Sequence, residues 1–533
     1  MSQPGGFTRG ARGLLARLQN LRGIAAPDAP VLAMRDPWPG DPTRGARLIK
    51  GELDLNGSTR LMGTGIFGVI TGTEMMRAYA GGFSWLRDLR ALGTDAARSR
   101  ARALVSDFIN TEYLDPVIGQ PDVVGARITS WLGHYDFFAA SADDEFRQRL
   151  MSRLVADARS LAAALPSEDR DGRALTALKG LLAASVSMPE HAAYLGRGLK
   201  FLGQELGRQI LPDGCQVERS PAGLLAALQD LAEIRALLQA GKVQDEAPPE
   251  LPLAIEKMAG ALRALRHGDG GLALFNGTKE GLPSLIELVL SQAGRGGRNT
   301  GALGASGFHR LTSGKCLLLV DAGVPAPAGA DRLAHAGTLS FEFSVGKERL
   351  IVNCGATPAA NGDWPDALRA TAAHSTLVIA DVSSSEVRHE GLGRRPLNVH
   401  AQRHEANGAH WLEASHDGWG QVFGAIHHRR LYLSESGDDL RGEEVIEAAT
   451  PQPFVIRFHL HPAVTAQLQQ DNEAVLLRLP SGQGWRLRAE GATIGLEESV
   501  YFGHAEPRRA EQMVLTGHQD GPQQVSWEIS KIG

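Results

Sequence analysis

Cysteine is scarce: three in 533 residues, Cys215, Cys316 and Cys354, far apart and without a CxxC spacing. That count excludes a disulfide framework and leads us to expect three packed, reduced thiols. Long apolar runs are missing too. Nowhere do 18 apolar residues follow one another, so no membrane-spanning helix is expected. The N-terminal stretch MSQPGGFTRGARGLLARLQNLRG scatters arginines where a secretory leader needs an uninterrupted apolar core, and the chain is expected in the cytoplasm. Its cationic segment 9–22 reads either as a helix packed on its own domain, the preferred reading, or as a contact with an anionic membrane surface. There is no excess of one charge: 55 Lys and Arg against 60 Asp and Glu give a net charge of -5. A general nucleic-acid binder is thereby excluded, and any anionic ligand must meet a local basic surface. GxSxG and HExxH motifs are absent, GRGGRNTG follows no strand, and no paired-carboxylate motif beyond Glu218 supports a glycoside hydrolase.

What is present divides in two. A chain of this length exceeds one ordinary core, so two large domains are expected. From about residue 60 to 290 the apolar spacing is helical. Leu150, Met151, Leu154, Val155, Ala158, Leu161 and Leu165 form one stripe, ended by Pro166; Leu224, Leu225, Leu228, Leu231, Ile234, Leu237 and Leu238 form another, ended by Gly241. Antiparallel helix hairpins follow from such a succession. From about 308 short strands recur between Gly, Asp and Ser turns, in KCLLLVDAG, TLSFEFSVGKERLIVNCG, STLVIAD, HWLEASHDGW and FVIRFHLHP, which predicts an antiparallel sandwich. The glycine-dense stretch 291–307 marks the change. We therefore expect an arm over 1–59 with a short helix and an extended segment, a helical domain over 60–300 and a β-sandwich over 301–533. Such a pair suits a carbohydrate-active enzyme, a helical protein-binding module with a β cap, or a scaffold without chemistry.

Histidines, seventeen in all, supply most of the candidate chemistry. His335 and His374 each precede a strand-like run, and Asn353 ends another. If strand pairing brings them together they form a His/Asn/His cluster. An Asp in place of Asn353 would complete an ordinary zinc set; neutral Asn is a poor ligand, and without metal the three can hydrogen-bond one another. His459 and His461 alternate in RFHLHP beside Arg457 and could line a groove. His416 lies in SHDGWG, read as a turn. Glu218 and Arg219, before the helix that starts at 221, read either as an arginine for an anionic sugar oriented by its glutamate or as an ion pair at a helix start. Trp131, Tyr135, Trp364, Trp419 and Tyr501 are possible sugar-stacking rings if exposed and core residues if not.

The runs AHAGTLSFEFSVGKERLIVNCGA, RATAAHSTLVI, ASHDGW and LPDGCQVERSP, in that arrangement, resemble the heparinase II/III-like polysaccharide lyases over most of the chain from about residue 35. The resemblance implies an α/α toroid, often incomplete, followed by an antiparallel β-sandwich, and β-elimination on a uronate-containing acidic polysaccharide or oligosaccharide. It implies a divalent metal, zinc or calcium, at His335, Asn353 and His374, expected to be held weakly or not at all because Asn353 replaces the charged ligand. Elimination needs a neutral group on the uronate carboxylate, a base for the C5 proton and an acid for the leaving oxygen. The chain departs from the family at these places. Glu218, Ser220 and Pro221 match its motif, yet Gly223 stands at the tyrosine position, Leu224 at a histidine position, Leu333 at a second histidine position and Asn353 at the metal aspartate. An active lyase must then use His374 and His335 with recruits such as His134, Tyr135 or His459, and bind substrate through Glu218, Arg219, Trp131, His416 and His461. The competing expectation is a carbohydrate-binding or scaffolding descendant without the chemistry.

Overall fold

The computed structural model describes residues 26–532 apart from Asn56, 63–71, 112–114, 295–301, Ala359, Asn361 and 520–522. The segment 9–22 and the centre of the glycine-dense stretch lie outside the described residues. By density of contacts the chain forms two compact units, one from residues up to Gln209 together with Ala227–Ile255, the other from Ile210–Ala226 together with Glu256 onward.

The first unit is helical. Its sequence signals act as expected at several ends: Asp143 caps Asp144–Ala164 by accepting from Phe146 N (2.7 Å), and Thr94 caps Asp95–Asn110 by accepting from Ala97 N (3.1 Å). Leu165 leaves the helix in extended conformation, as a residue before proline must. Helix Pro121–Gly133 is followed by the single turn Tyr135–Phe138, with His134 between. Helices Pro121–Gly133 and Arg173–Ser187 touch through glycine: a Cβ at Gly180 would lie 2.3 Å from Gly125 Cα. The arm holds the helix Pro42–Ile49 and a hairpin, Glu52–Leu55 with Ser58–Leu61, the latter not expected from the sequence. No helix among the described residues is long and apolar enough to cross a membrane.

The second unit is built on two antiparallel sheets. One runs, edge to edge, Val399–Ala406, Ala409–Trp419, Ala425–Leu433, Asp439–Glu447, Gln523–Lys531, Gly484–Glu490, Val475–Arg478 and Thr465–Leu468. The other runs Thr493–Tyr501, Arg508–Gln519, Gln452–Leu460, Glu348–Val352, Phe341–Val345, Cys316–Asp321, Phe308–Ser313 and Ala302–Leu303, with Leu377–Ile379 also paired to Gln452–Leu460. Inward residues of both sheets share one core, in which Phe341 stacks on Trp527 (5.8 Å, 10°) and Phe343 meets Trp485 edge-on. Cys215, Cys316 and Cys354 are buried free thiols.

Candidate functional site

His335, Asn353 and His374 come together in the second unit. His335 does not lead a strand as expected; it lies in the loop between Cys316–Asp321 and Phe341–Val345, held by its backbone N–H donating to Asn276 Oδ1 (3.1 Å). His374 follows the short turn Thr371–Ala373, and Asn353 directly follows the strand Glu348–Val352. The hydrogen bonds decide both tautomers. His374 Nδ1 faces Ala370 O (2.8 Å) and must donate, so its Nε2 accepts. His335 Nε2 accepts from Gly277 N–H (2.9 Å), so its Nδ1 donates to His374 Nε2 at 3.0 Å. Both rings are buried and neutral. Burial pushes His374 down to about 4 and His335 well below the ordinary imidazole value, the latter reinforced by His374 and Arg369.

Asn353 is held apart from the imidazoles, by Ser375 and Glu342. Its Oδ1 accepts from Ser375 N–H (2.9 Å), while its Nδ2 donates to Glu342 Oε1 (3.3 Å), which also receives the Asn353 backbone N–H (2.9 Å). The metal ligation implied by the resemblance does not fit this arrangement. Each imidazole lone pair already accepts a proton, and the Asn353 amide is held between a donor and an acceptor.

Arg219 is equally committed. It adopts a left-handed backbone (φ 55°), donates from Nε to Ser306 O (2.7 Å) and forms an ion pair with Asp321, its guanidinium lying 4.8 Å above the Phe308 ring. Asn276 ties the pair down by donating to Arg219 O (2.9 Å) and to Asp321 Oδ2 (3.3 Å). The expected pairing of Arg219 with Glu218 is therefore corrected: the arginine's partner is Asp321. Glu218 is half-buried beside Gly223, where a Cβ would stand 3.3 Å from its Oε2. The position of the family's tyrosine is here bare backbone.

The remaining candidates scatter. In the helical unit Trp131 is a core residue, 0% exposed and edge-on to Phe83 and Phe108 (5.2 and 5.8 Å), and does not offer a sugar platform. His134 is buried, with Nδ1 on Ser130 O (2.8 Å) and Nε2 3.4 Å from Asp36; burial lowers it to about 4 against the pull of Asp36. The Tyr135 hydroxyl is buried, which raises its pKa. In the second unit His459 is buried between Ser499 Oγ (2.8 Å) and Ala372 O (3.0 Å) and held down to about 3 by burial. His416 lies not in a turn but in strand Ala409–Trp419 just before a bulge, buried against Trp419 and accepting from Gly418 N–H (3.1 Å). Trp419 and Tyr501 are buried, whereas Trp364 is exposed. His461, just past strand Gln452–Leu460, keeps an accessible edge beside Glu280. No two of His374, His134, Tyr135 and His459 are hydrogen-bonded to one another among the described residues.

An open surface that the sequence reading missed lies on the outer face of the sheet that begins with Val399–Ala406. One ladder row crosses six strands as His404, Trp411, Tyr432, Arg441, Glu528 and Arg488. The next row is Gln402, Glu413, Arg430, Glu443, Ser526 and Glu490. All of these except His404 and Gln402 line a concavity of about 530 Å³. Trp411 is 36% exposed and lies 5.2 Å from Tyr432, and Arg430, Arg441 and Arg488 line the same concavity. The signal was present: in HWLEAS and RRLYL the aromatic stands at the polar phase of the alternation, next to an inward leucine.

Residues 122–289 match the model of the heparinase II/III N-terminus and residues 295–528 that of the heparinase II/III-like C-terminal domain. FtsZ-localized protein C of Caulobacter vibrioides is 32% identical over 95% of this chain and 92% of its own length. The chain belongs to the heparinase II/III-like family. Solved structures agree on the fold of this family member. A heparinase III crystal structure superposes with a TM-score of 0.78 at 13% identity, covering 98% of this chain and 89% of that one. Heparan sulfate lyase HepC of Pedobacter heparinus gives 0.61 at 14% identity, covering 98% and 88%. The helical region and the antiparallel sheets are thus the toroid and β-sandwich of the family.

Proposed function

We propose that this chain is a heparinase II/III-like protein that retains the fold without β-elimination and serves as a binding or scaffolding module. The observation that carries the reading is the His335–His374 pair. Its two accepting nitrogens are filled, its rings are neutral and buried, and the position of the family's tyrosine is Gly223. A base needs a free lone pair within reach of the C5 proton and an acid needs a transferable proton nearby. His335 and His374 supply neither as arranged.

Its ligand, in this reading, is an acidic oligosaccharide taken on the Trp411–Tyr432 face. A sugar ring stacks on the aromatic pair while a uronate carboxylate meets Arg430, Arg441 or Arg488. The name of FtsZ-localized protein C favours a scaffolding role at FtsZ, and three buried thiols without disulfides suit work in the cytoplasm. The deciding experiment screens heparan sulfate, chondroitin sulfate, alginate and their oligosaccharides for the ultraviolet absorbance of an unsaturated uronic product, with binding measured on the same samples. Binding without product supports the module. Turnover that disappears in folded His374→Gln protein establishes the lyase instead. Co-sedimentation with FtsZ polymers tests the scaffolding role.

A further inference from the structure

Glu280, His461 and His504 meet at one corner of the second unit, outside the closed network of His335. His461 follows strand Gln452–Leu460, and His504 lies in the bend after strand Thr493–Tyr501. Glu280 is fastened to that bend by its backbone N–H, which donates to Gly503 O (2.9 Å). Gly503 lies flat on the Tyr501 ring, where a Cβ would come within 2.3 Å of the hydroxyl oxygen, so the bend is shaped around that ring. The ring packs edge-on against both imidazoles, 5.1 Å from His461 and 6.1 Å from His504, and its hydroxyl donates to Glu280 Oε1.

Glu280 Oε1 stands 3.8 Å from His461 Nε2 and 3.4 Å from His504 Nε2, and the three donor atoms lie within 4.8 Å of one another. Ligand atoms each about 2.1 Å from a zinc ion at a tetrahedral angle are about 3.4 Å apart, so small side-chain shifts bring the three onto one ion. We propose that Glu280, His461 and His504 bind one zinc ion, with the fourth position open to water. The side chains are 10%, 15% and 51% exposed, so the ion can enter from solvent past His504. Two imidazoles and one carboxylate suit zinc; calcium requires six or more oxygens.

The surroundings support a cation. Arg349 approaches the other carboxylate oxygen, Oε2, at 3.8 Å but is itself held by Asp269 (2.7 Å), so two carboxylates share one guanidinium. The Tyr501 hydroxyl orients the ligating carboxylate by donating to it. In the metal-free arrangement Ala463 N–H donates to His461 Nδ1 at 3.3 Å, which leaves the proton on Nε2. Zinc takes the place of that proton: the ring shifts its hydrogen to Nδ1, giving up a long bond.

The test uses the full chain, stripped with a chelator and titrated with zinc chloride against a chromophoric zinc indicator. One equivalent is expected, held at least about tenfold more weakly in His504→Ala and in His461→Ala, with unchanged affinity in His374→Gln. Cobalt(II) loading should give visible d–d absorption that Glu280→Gln loses. His504 is 51% exposed, so its alanine variant tests the site without threatening the core. Absence of bound zinc overturns the proposal. Full retention in both His504→Ala and His461→Ala, or loss in His374→Gln alone, overturns it equally.

Discussion

His335 Nδ1 donates to His374 Nε2 across 3.0 Å while the far nitrogen of each ring is held by backbone. The two imidazoles therefore behave as one neutral, buried unit, and replacing either leaves its partner with an unmet donor or acceptor. An unsatisfied buried polar group costs about 1–3 kcal/mol. The pair is thus a structural joint first, and its properties can be probed without any substrate.

Gly337 tests the packing of that joint. A Cβ there would lie 2.7 Å from His374 Cδ2 and 3.1 Å from Cγ. Gly337→Ala should displace the ring and cost about 1–3 kcal/mol, read as a lower thermal midpoint. An unchanged midpoint would mean that the ring is not confined as described.

Asn353→Asp replaces the amide that donates to Glu342 Oε1 with a carboxylate, at a residue that is 0% exposed. Two buried carboxylates in contact repel, so the metal-free variant should be less stable than the parent. Made in a His504→Ala background, it should regain stability on adding zinc, because the family's ligand charge is restored beside His335 and His374. Stability indifferent to zinc would show that the joint cannot open to admit an ion.

Acid should destabilise the protein early. Burial holds His134, His191, His309 and His374 at about 4 and His459 at about 3, against an ordinary 6.5. Between those values the unfolded chain binds more protons than the folded one, so stability is complete above pH 6.5 and falls as pH drops toward 4. Glu280 and Glu444, both held at about 2, extend the loss below 4.5: their contribution is present above the ordinary carboxylate value and disappears toward 2. Urea midpoints at a series of pH values measure this, and a flat profile from pH 7 to 5 would count against neutral buried imidazoles.

Removing one half of the Arg219–Asp321 pair should be severe. Both side chains are buried, and Arg219→Met leaves Asp321 charged and without its guanidinium. A loss of about 3–5 kcal/mol is expected. Arg219→Met with Asp321→Leu should recover much of it, as chemical denaturation of the single and double variants will show.

Trp411→Ala should leave the thermal midpoint nearly unchanged, since the ring lies on the open face, while weakening acidic-oligosaccharide binding about tenfold. Equal binding by variant and parent would remove this face from the proposed function.

Much of the architecture was legible in the order of residues, because helical and strand periods are local. Pro166 and Gly241 bound the helices Asp144–Ala164 and Pro221–Ala240, and alternation separates inward from outward residues in Ala425–Leu433. The family, too, was readable from the motifs around His335 and His374. Partnership was not. Arg219 finds Asp321, 102 residues away, rather than its neighbour Glu218, because the left-handed backbone at Arg219 and the loop at Ser306 bring the two together. Trp411 and Trp419 show the limit of local pattern most clearly. They stand on one strand an even number of positions apart, so strict alternation assigns them to one face, yet Trp411 is 36% exposed and Trp419 0%. The pairing register shifts between His416 and Trp419, and the bulge turns the second indole into the core. Sequence by itself determined the period of each segment and its family; which polar groups meet, and which aromatic faces solvent, depended on strand register and loop placement, which only long-range packing sets.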